Sequence, residues 1–285
     1  MSLKRKMCNS GCGGNHSLNS WLRKEPALGI ELEYENVALQ SNCRPSFWHF
    51  ESDGSLRNNG LEIVSHALRF TDVERALDEV EQIVISSGAE ATERCGLHVH
   101  LNMLPFTTGQ VWSLLAMYAL LEPTIYRAYA VGRENNTFAV PLWANQQNVS
   151  ACYRDINHLR ISNDHRPLEI IHTCKYSALN LACLNNFGTI EMRQPYCTTD
   201  FAAIRSWVDF CMRLVMLSVE SSDPHEVLQA YEEQGLEFFQ QAYFGEMYSI
   251  NPDLQEMAED AAYWIGGYAE PRWQDLDWNN LTEVA

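Results

Sequence analysis

The amino-acid sequence predicts an α+β fold: an antiparallel sheet with helices packed on one face and a polar concave face on the other. Three observations lead there. Short segments alternate apolar with ionisable residues at a period of two. Longer segments with capping residues and helical spacing follow or separate them. Neither an internal repeat nor a composition break divides the chain.

The first strand is Leu28–Asn36 (LGIELEYEN). Ile30, Leu32 and Tyr34 share one face, and Glu31, Glu33 and Glu35 the other. Carboxylates stacked on one strand face repel each other at neutral pH. A positive group is therefore expected over them, and a hard cation such as Mg²⁺ or Mn²⁺ suits carboxylate oxygens. Glu35, nearest the strand's end, is expected to face solvent.

Phe47–Phe50 and Leu61–Val64 read as two short strands around the turn formers Asp53 and Gly54, a hairpin that carries Glu62. Thr71 and Glu74 have the spacing of a capping box. Val73, Ala76, Leu77, Val80, Ile83 and Val84 then recur at helical spacing up to Gly88. Gly96–Asn102 (GLHVHLN) alternates again, with Leu97, Val99 and Leu101 opposite His98, His100 and Asn102. Thr107 and Gln110 cap a second helix, apolar nearly all round from Val111 to Leu121 and so expected at the centre of the fold. Pro123 kinks it or starts a new turn.

Between Val131 and Cys174 periodicity fades into a segment rich in Asn, Arg and His, too long for an ordinary connection and read as a functional lid or as hidden elements. Tyr176–Leu181 and Gly188–Arg193 read as a hairpin joined through Asn185 and Asn186, with Ile190 and Met192 opposite Glu191 and Arg193. Three helices close the chain, capped at Asp200, at Asp223 with Pro224 behind it, and at Asn251 with Pro252 behind it. Residues 1–27 read as a flexible leader, 28–270 as a single domain and 271–285 as an acidic tail. Cys8, Cys12 and His16 lie close together in the leader, but without the paired spacing of a zinc site.

At 46% hydrophobic and 11% aromatic, the 285 residues are ample for a packed core. A formal charge of −17 argues against a basic groove for nucleic acid or attraction to anionic membrane. No apolar run is long enough for a spanning helix or a signal peptide. Nine scattered cysteines then read as reduced thiols in a cytoplasmic protein. Nothing decides the oligomeric state.

Four strands thus share one design, and their polar faces would collect Glu31, Glu33, Glu62, His98, His100, Glu191 and Arg193. Histidines among carboxylates suggest a metal site. Taken singly, each residue has a plainer reading: His98 and His100 as a solvent-facing pair, Glu191 and Arg193 as a same-face ion pair worth little. His-x-His on a strand also opens some metal-dependent hydrolase sites, which generally need further histidines. A non-catalytic module binding a nucleotide or a peptide end is a third reading.

At these residues the chain resembles the amidoligase family, within the superfamily of glutamine synthetase and glutamate–cysteine ligase. The motifs are GIELE at 29–33, DGSL and EIVS between 53 and 65, GLHVH at 96–100, KYSALNL at 175–181 and TIEMR at 189–193. Their order matches the family's. The resemblance implies a curved, glutamine synthetase-like sheet and an ATP-dependent carboxylate–amine ligase using Mg²⁺, with Mn²⁺ as an alternative. It implies small-molecule or peptide acid and amine substrates, joined through an acyl phosphate. It makes Glu31, Glu33, Glu62, His98 and Glu191 the metal ligands, with Glu62 and Glu191 also counted as catalytic. Arg193 is implied to meet the transferring phosphate, Lys175 and Arg133 to add looser cationic contacts to the nucleotide, and His100 to support them. There is no GxxxxGK[ST] loop, which argues against P-loop chemistry. Arg154, Arg160 and Arg166, with Lys175, suggest an anionic group on the substrate.

Overall fold

The computed structural model describes residues 27–145, 175–244 and 252–273. The alternating segments become the strands β1 (Leu28–Tyr34), β2 (Trp48–Glu51), β3 (Leu61–Ser65), β4 (Leu97–Asn102), β5 (Leu179–Asn180) and β6 (Thr189–Met192). They form one open antiparallel sheet in the order β2-β3-β1-β4-β6-β5.

Five long helices pack against it: α1 (Val73–Ser87), α2 (Thr108–Tyr129), α4 (Phe201–Ser218), α5 (Pro224–Phe244, kinked at Gly235, whose φ is 73°) and α6 (Pro252–Trp273). A short helix α3 (Cys183–Asn186) links β5 to β6. The apolar strand face, including Ile30, Leu32, Ile63, Val99 and Ile190, is fully buried in one hydrophobic cluster with the helices. Helix α4 lies on β4, and α5 and α6 pack on α2. The indole Nε1 of Trp48 donates to the Ala76 carbonyl at 2.8 Å, tying β2 to α1.

Several local expectations hold for the stated reasons. Thr107 and Gln110 form a reciprocal capping box on α2, and Asp200 accepts from the amides of Ala202 and Ala203 to start α4. Helix α1 ends at Gly88, whose φ of 65° is the left-handed conformation glycine adopts without strain. Helix α2 runs on through Pro123 to Tyr129, and every residue from Val111 to Tyr126 is buried.

Other expectations are corrected. The Thr71–Glu74 capping box does not form: residues Phe70–Asp72 make a 3₁₀ turn, and α1 starts at Val73 without a side-chain cap. The β2–β3 connection is the long loop 52–60, not a tight turn. Strands β5 and β6 are joined by α3 rather than by an Asn-Asn turn. Ala27 belongs to the fold, not to a leader: it is buried, and its amide donates to the Leu68 carbonyl at 2.6 Å. Glu35 does not face solvent. It is 3% exposed, and its carboxylate accepts from the Arg57 amide at 2.7 Å, fastening the 52–60 loop to the end of β1.

Within the Asn-rich segment, residues 131–145 hold a 3₁₀ turn at Leu142–Ala144, and Val140 bridges to Ser177. Glu122, buried on α2, accepts from the amides of Leu142 and Trp143 and from the Tyr118 hydroxyl, and so pins that segment. The readings placed on the leader (Cys8, Cys12, His16), on Arg154, Arg160 and Arg166 and on Asn251 fall outside the described residues; of the tail read over 271–285, residues 271–273 are the end of α6 and the rest also fall outside.

Candidate metal centre

The strand register decides which polar residues meet. Glu33 pairs with Glu62, Glu31 with His98, His100 with Glu191, and Asn180 with Glu191. Five strands therefore place their polar side chains in one band across the sheet face away from the helices. Glu33, His98 and Glu191 are nevertheless buried. The 133–138 and 175–176 segments line the cavity over them.

Glu31 is gripped by two imidazoles, His98 Nδ1 at 3.1 Å and His100 Nε2 at 2.9 Å. Glu191 reaches both as well, at 3.5 and 3.9 Å. Arg193 Nη1 lies 3.2 Å from Glu191, and its Nε is buried without a hydrogen-bond partner. All seven residues assembled from sequence meet here.

Among the described residues three groups of donors lie close enough to hold a metal ion; one is His100, Cys183 and Glu191, and the other two are richer in carboxylates. Of those two, Glu31, Glu62 and His98 form the first and Glu33, Asp53 and Glu62 the second, each with donor atoms within 4.8 Å of one another. They share Glu62. The second set is all oxygen, which suits Mg²⁺, and the first adds one imidazole, as Mg²⁺ and Mn²⁺ sites tolerate. Electrostatics supports the fit. Burial and the neighbouring Glu31 and Glu33 push the Glu62 carboxyl up to about 8, so its charge lacks compensation from the protein. Burial alone would also raise Glu31, but hydrogen bonds from His100 and His98 outweigh it and hold that carboxyl well below the usual range. His100 is raised in turn: burial would lower it, and Glu31 prevails.

The cavity above the clusters has a volume of about 720 Å³, and Arg94, Arg133, Lys175 and Arg193 are among its lining residues. A second cavity of about 620 Å³ shares Glu31 and Glu62 but is walled largely by Leu28, Val64, Ala67, Leu104 and Phe187. The two flank one carboxylate ridge. Arg133 is less free than its sequence position suggests. It is 4% exposed, donates to the Pro195 carbonyl and stacks over the Tyr196 ring at 4.5 Å. Lys175 stays exposed at the rim.

Three contributors were not singled out from sequence as site residues. Asp53 reads as a turn former and is one, its Oδ1 accepting from the Ser55 amide at 2.6 Å, yet it also joins the Glu33–Glu62 set. Its place at the head of DGSL was the available signal. Asn180 donates to Glu191 at 2.6 Å. Its strand is only two residues long, too short for periodicity to mark. Cys183 sits on α3, where no alternation exists to reveal its facing. His49 lies on β2, stacked against His66 at 5.4 Å and paired with Glu51. Among the described residues, His98 and His100 are the histidines in metal-competent groups.

A family model described as "Putative amidoligase enzyme" matches residues 35–215, a span that contains Glu62, His98, His100, Glu191 and Arg193. No curated protein matches the chain.

Proposed function

The chain belongs to that amidoligase family, and from this premise we propose that it is an ATP-dependent carboxylate–amine ligase working through an acyl phosphate. The observation that carries the reading is the pair of carboxylate clusters joined at Glu62 and facing Arg193. A carboxylate is a poor electrophile and must first gain a leaving group. Transfer of the γ-phosphoryl of ATP supplies one: the acid oxygen bonds to phosphorus, ADP departs, and the amine then displaces phosphate to leave an amide.

In this reading Glu33, Asp53 and Glu62 would hold one Mg²⁺ and Glu31, Glu62 and His98 a second, to which Glu191, 3.5 Å from His98, would add a ligand. Cations held there would supply neutralisation of charge on phosphate oxygens. The protein's own groups orient the reactants. Arg193, with its unpartnered Nε, offers donors to the phosphoryl group being transferred. Lys175 at the rim meets the outer phosphates. Arg133, braced on Pro195 and Tyr196, sets the cavity's far wall and adds positive potential. His100 supports Glu31. The domain expected over 28–270, which takes in Ala27 and the end of α6 as well, is the catalytic one in this reading, with the sheet in the role of the glutamine synthetase-type catalytic sheet. No described helix is long and apolar enough to cross a membrane.

Purified protein with Mg-ATP and a panel of amino acids, polyamines and peptides tests the reading. ADP released together with an amide product supports it. AMP and pyrophosphate would refute the acyl-phosphate route, and product release independent of ATP would favour a hydrolase.

A further inference from the structure

We propose that His100, Cys183 and Glu191 form a soft-metal site for Zn²⁺, and that by taking Glu191 Zn²⁺ shuts down the neighbouring carboxylate clusters. The three donor atoms lie within 4.8 Å of one another. Cys183 Sγ is 3.5 Å from Glu191 Oε2, and His100 Nε2 is 3.9 Å from Glu191 Oε1. Tetrahedral zinc, with bonds of about 2.3 Å to sulfur and about 2.0–2.1 Å to nitrogen or oxygen, separates its ligand atoms by about 3.3–3.6 Å. The Cys183–Glu191 contact already matches that spacing and the His100–Glu191 contact exceeds it by about half an ångström. A thiolate, an imidazole and one carboxylate select zinc over Mg²⁺, which takes oxygen ligands.

The groups around the triad hold it in place. Asn180 Nδ2 donates to Glu191 at 2.6 Å and contacts Cys183 Sγ at 3.4 Å, so one amide orients two ligands. Thr189 Oγ1 sits 3.2 Å from His100 Nδ1, leaving Nε2 turned to the cluster. Such outer partners fix ligand geometry in metal sites. The more apolar cavity, lined by His100, Thr189 and Phe187, supplies the route in. Cys183 itself belongs to neither carboxylate-rich group and has no part in the proposed ligase chemistry.

On binding, the thiol proton passes to solvent and the sulfur electron pair goes to the metal. Glu191 and His100 are then engaged with Cys183 and are drawn from Glu31 and His98. The binding stands on geometry alone; the inhibition rests on the ligase reading, in which Glu191 serves the Mg²⁺ set.

The test uses the full chain. Equimolar Co²⁺ should give a thiolate-to-cobalt charge-transfer band that Cys183→Ser abolishes. X-ray absorption of the wild-type zinc complex, which needs no variant to fold, should show one sulfur among nitrogen and oxygen ligands. An unchanged cobalt band in the variant, no sulfur, or two or more sulfurs would each overturn the site. With Mg-ATP turnover as readout, Cys183→Ser should need at least about tenfold more Zn²⁺ for the same inhibition; equal sensitivity overturns the inhibitory role. If no acid and amine yield ADP, the ligase reading fails while the spectra still decide the zinc site.

Discussion

Glu31 and His98 are register partners across β1 and β4, and their side chains meet on the sheet face away from the helices at 3.1 Å. His100, one residue pair further along β4, closes on the same carboxylate from the other side at 2.9 Å. The carboxylate is thus held ionised between two imidazoles. Removing that charge while keeping the shape should let burial dominate at His100. In Glu31→Gln, the His100 pKa followed by NMR is expected to fall from above the ordinary imidazole value to below it. A value unmoved by the substitution would show that Glu31 does not set it.

Glu191 connects Asn180, Arg193 and both histidines, and it is 3% exposed. Truncation to Ala would strand those partners, so Glu191→Gln is the sharper variant. Turnover should fall on the order of a hundredfold or more, because a cation ligand and its charge are lost together. The far-UV spectrum should be unchanged. Activity within about twofold of wild type would remove Glu191 from the metal set.

Gly96 is small because His98 lies against it. A Cβ built there meets His98 Nε2 at 2.5 Å and Glu33 Oε2 at 3.3 Å, and the Gly96 amide already donates to Glu33 Oε2 at 2.6 Å. Gly96→Ala should therefore displace the His98 ring and weaken metal binding by on the order of tenfold or more. Calorimetric titration with Mn²⁺ checks this. Wild-type affinity in the variant would mean the ring is not a ligand.

Burial, opposed by hydrogen bonds from Leu142, Tyr118 and Trp143, raises the Glu122 carboxyl to about 8; burial with Glu31 and Glu33 nearby raises Glu62 to about 8 as well. Both hold protons in the folded state that the unfolded chain releases near pH 4.5. Their contribution is present below that pH and is lost as pH rises towards 8, by a few kcal/mol in order of magnitude. The metal-free protein should melt lower at about pH 8 than at about pH 6. Glu62→Gln should reduce the drop, and Mg²⁺ should restore more stability at the higher pH. A metal-free melting point that climbs over this range contradicts the assignment.

Arg133 donates to the Pro195 carbonyl and stacks on Tyr196 from a buried position. Arg133→Met is expected to cost about 1.5–3 kcal/mol, the range for a hydrogen bond to a charged group, read from urea unfolding. A stability loss under about 0.5 kcal/mol would mean the bracing contacts contribute little.

The alternation in β1, β4 and β6 was enough to put Glu31, Glu33, His98, His100, Glu191 and Arg193 on one surface, because a strand has only two faces and the apolar one must be buried. Helix α4 and the Thr107–Gln110 cap of α2 were legible for a similar reason: the capping group and the backbone amides it satisfies are local in sequence. Where the outcome hung on distant partners, sequence was silent. Nothing at Thr71 announces that a 3₁₀ turn would replace its capping box. Nothing at Glu35 announces the Arg57 amide that keeps it buried.

Sequence alone determined the sheet, its polar face and the chemical type of the donors, since periodicity and side-chain chemistry are properties of short segments. Only the tertiary structure decided the strand order and register, and with them which donors meet. Register joined Glu33 to Glu62 and Glu31 to His98, and loop closure over 52–60 brought in Asp53. A short helix between β5 and β6 carried Cys183 to Glu191. A metal-competent group needs atoms a few ångströms apart, and that distance is set by chain segments that know nothing of one another until they pack.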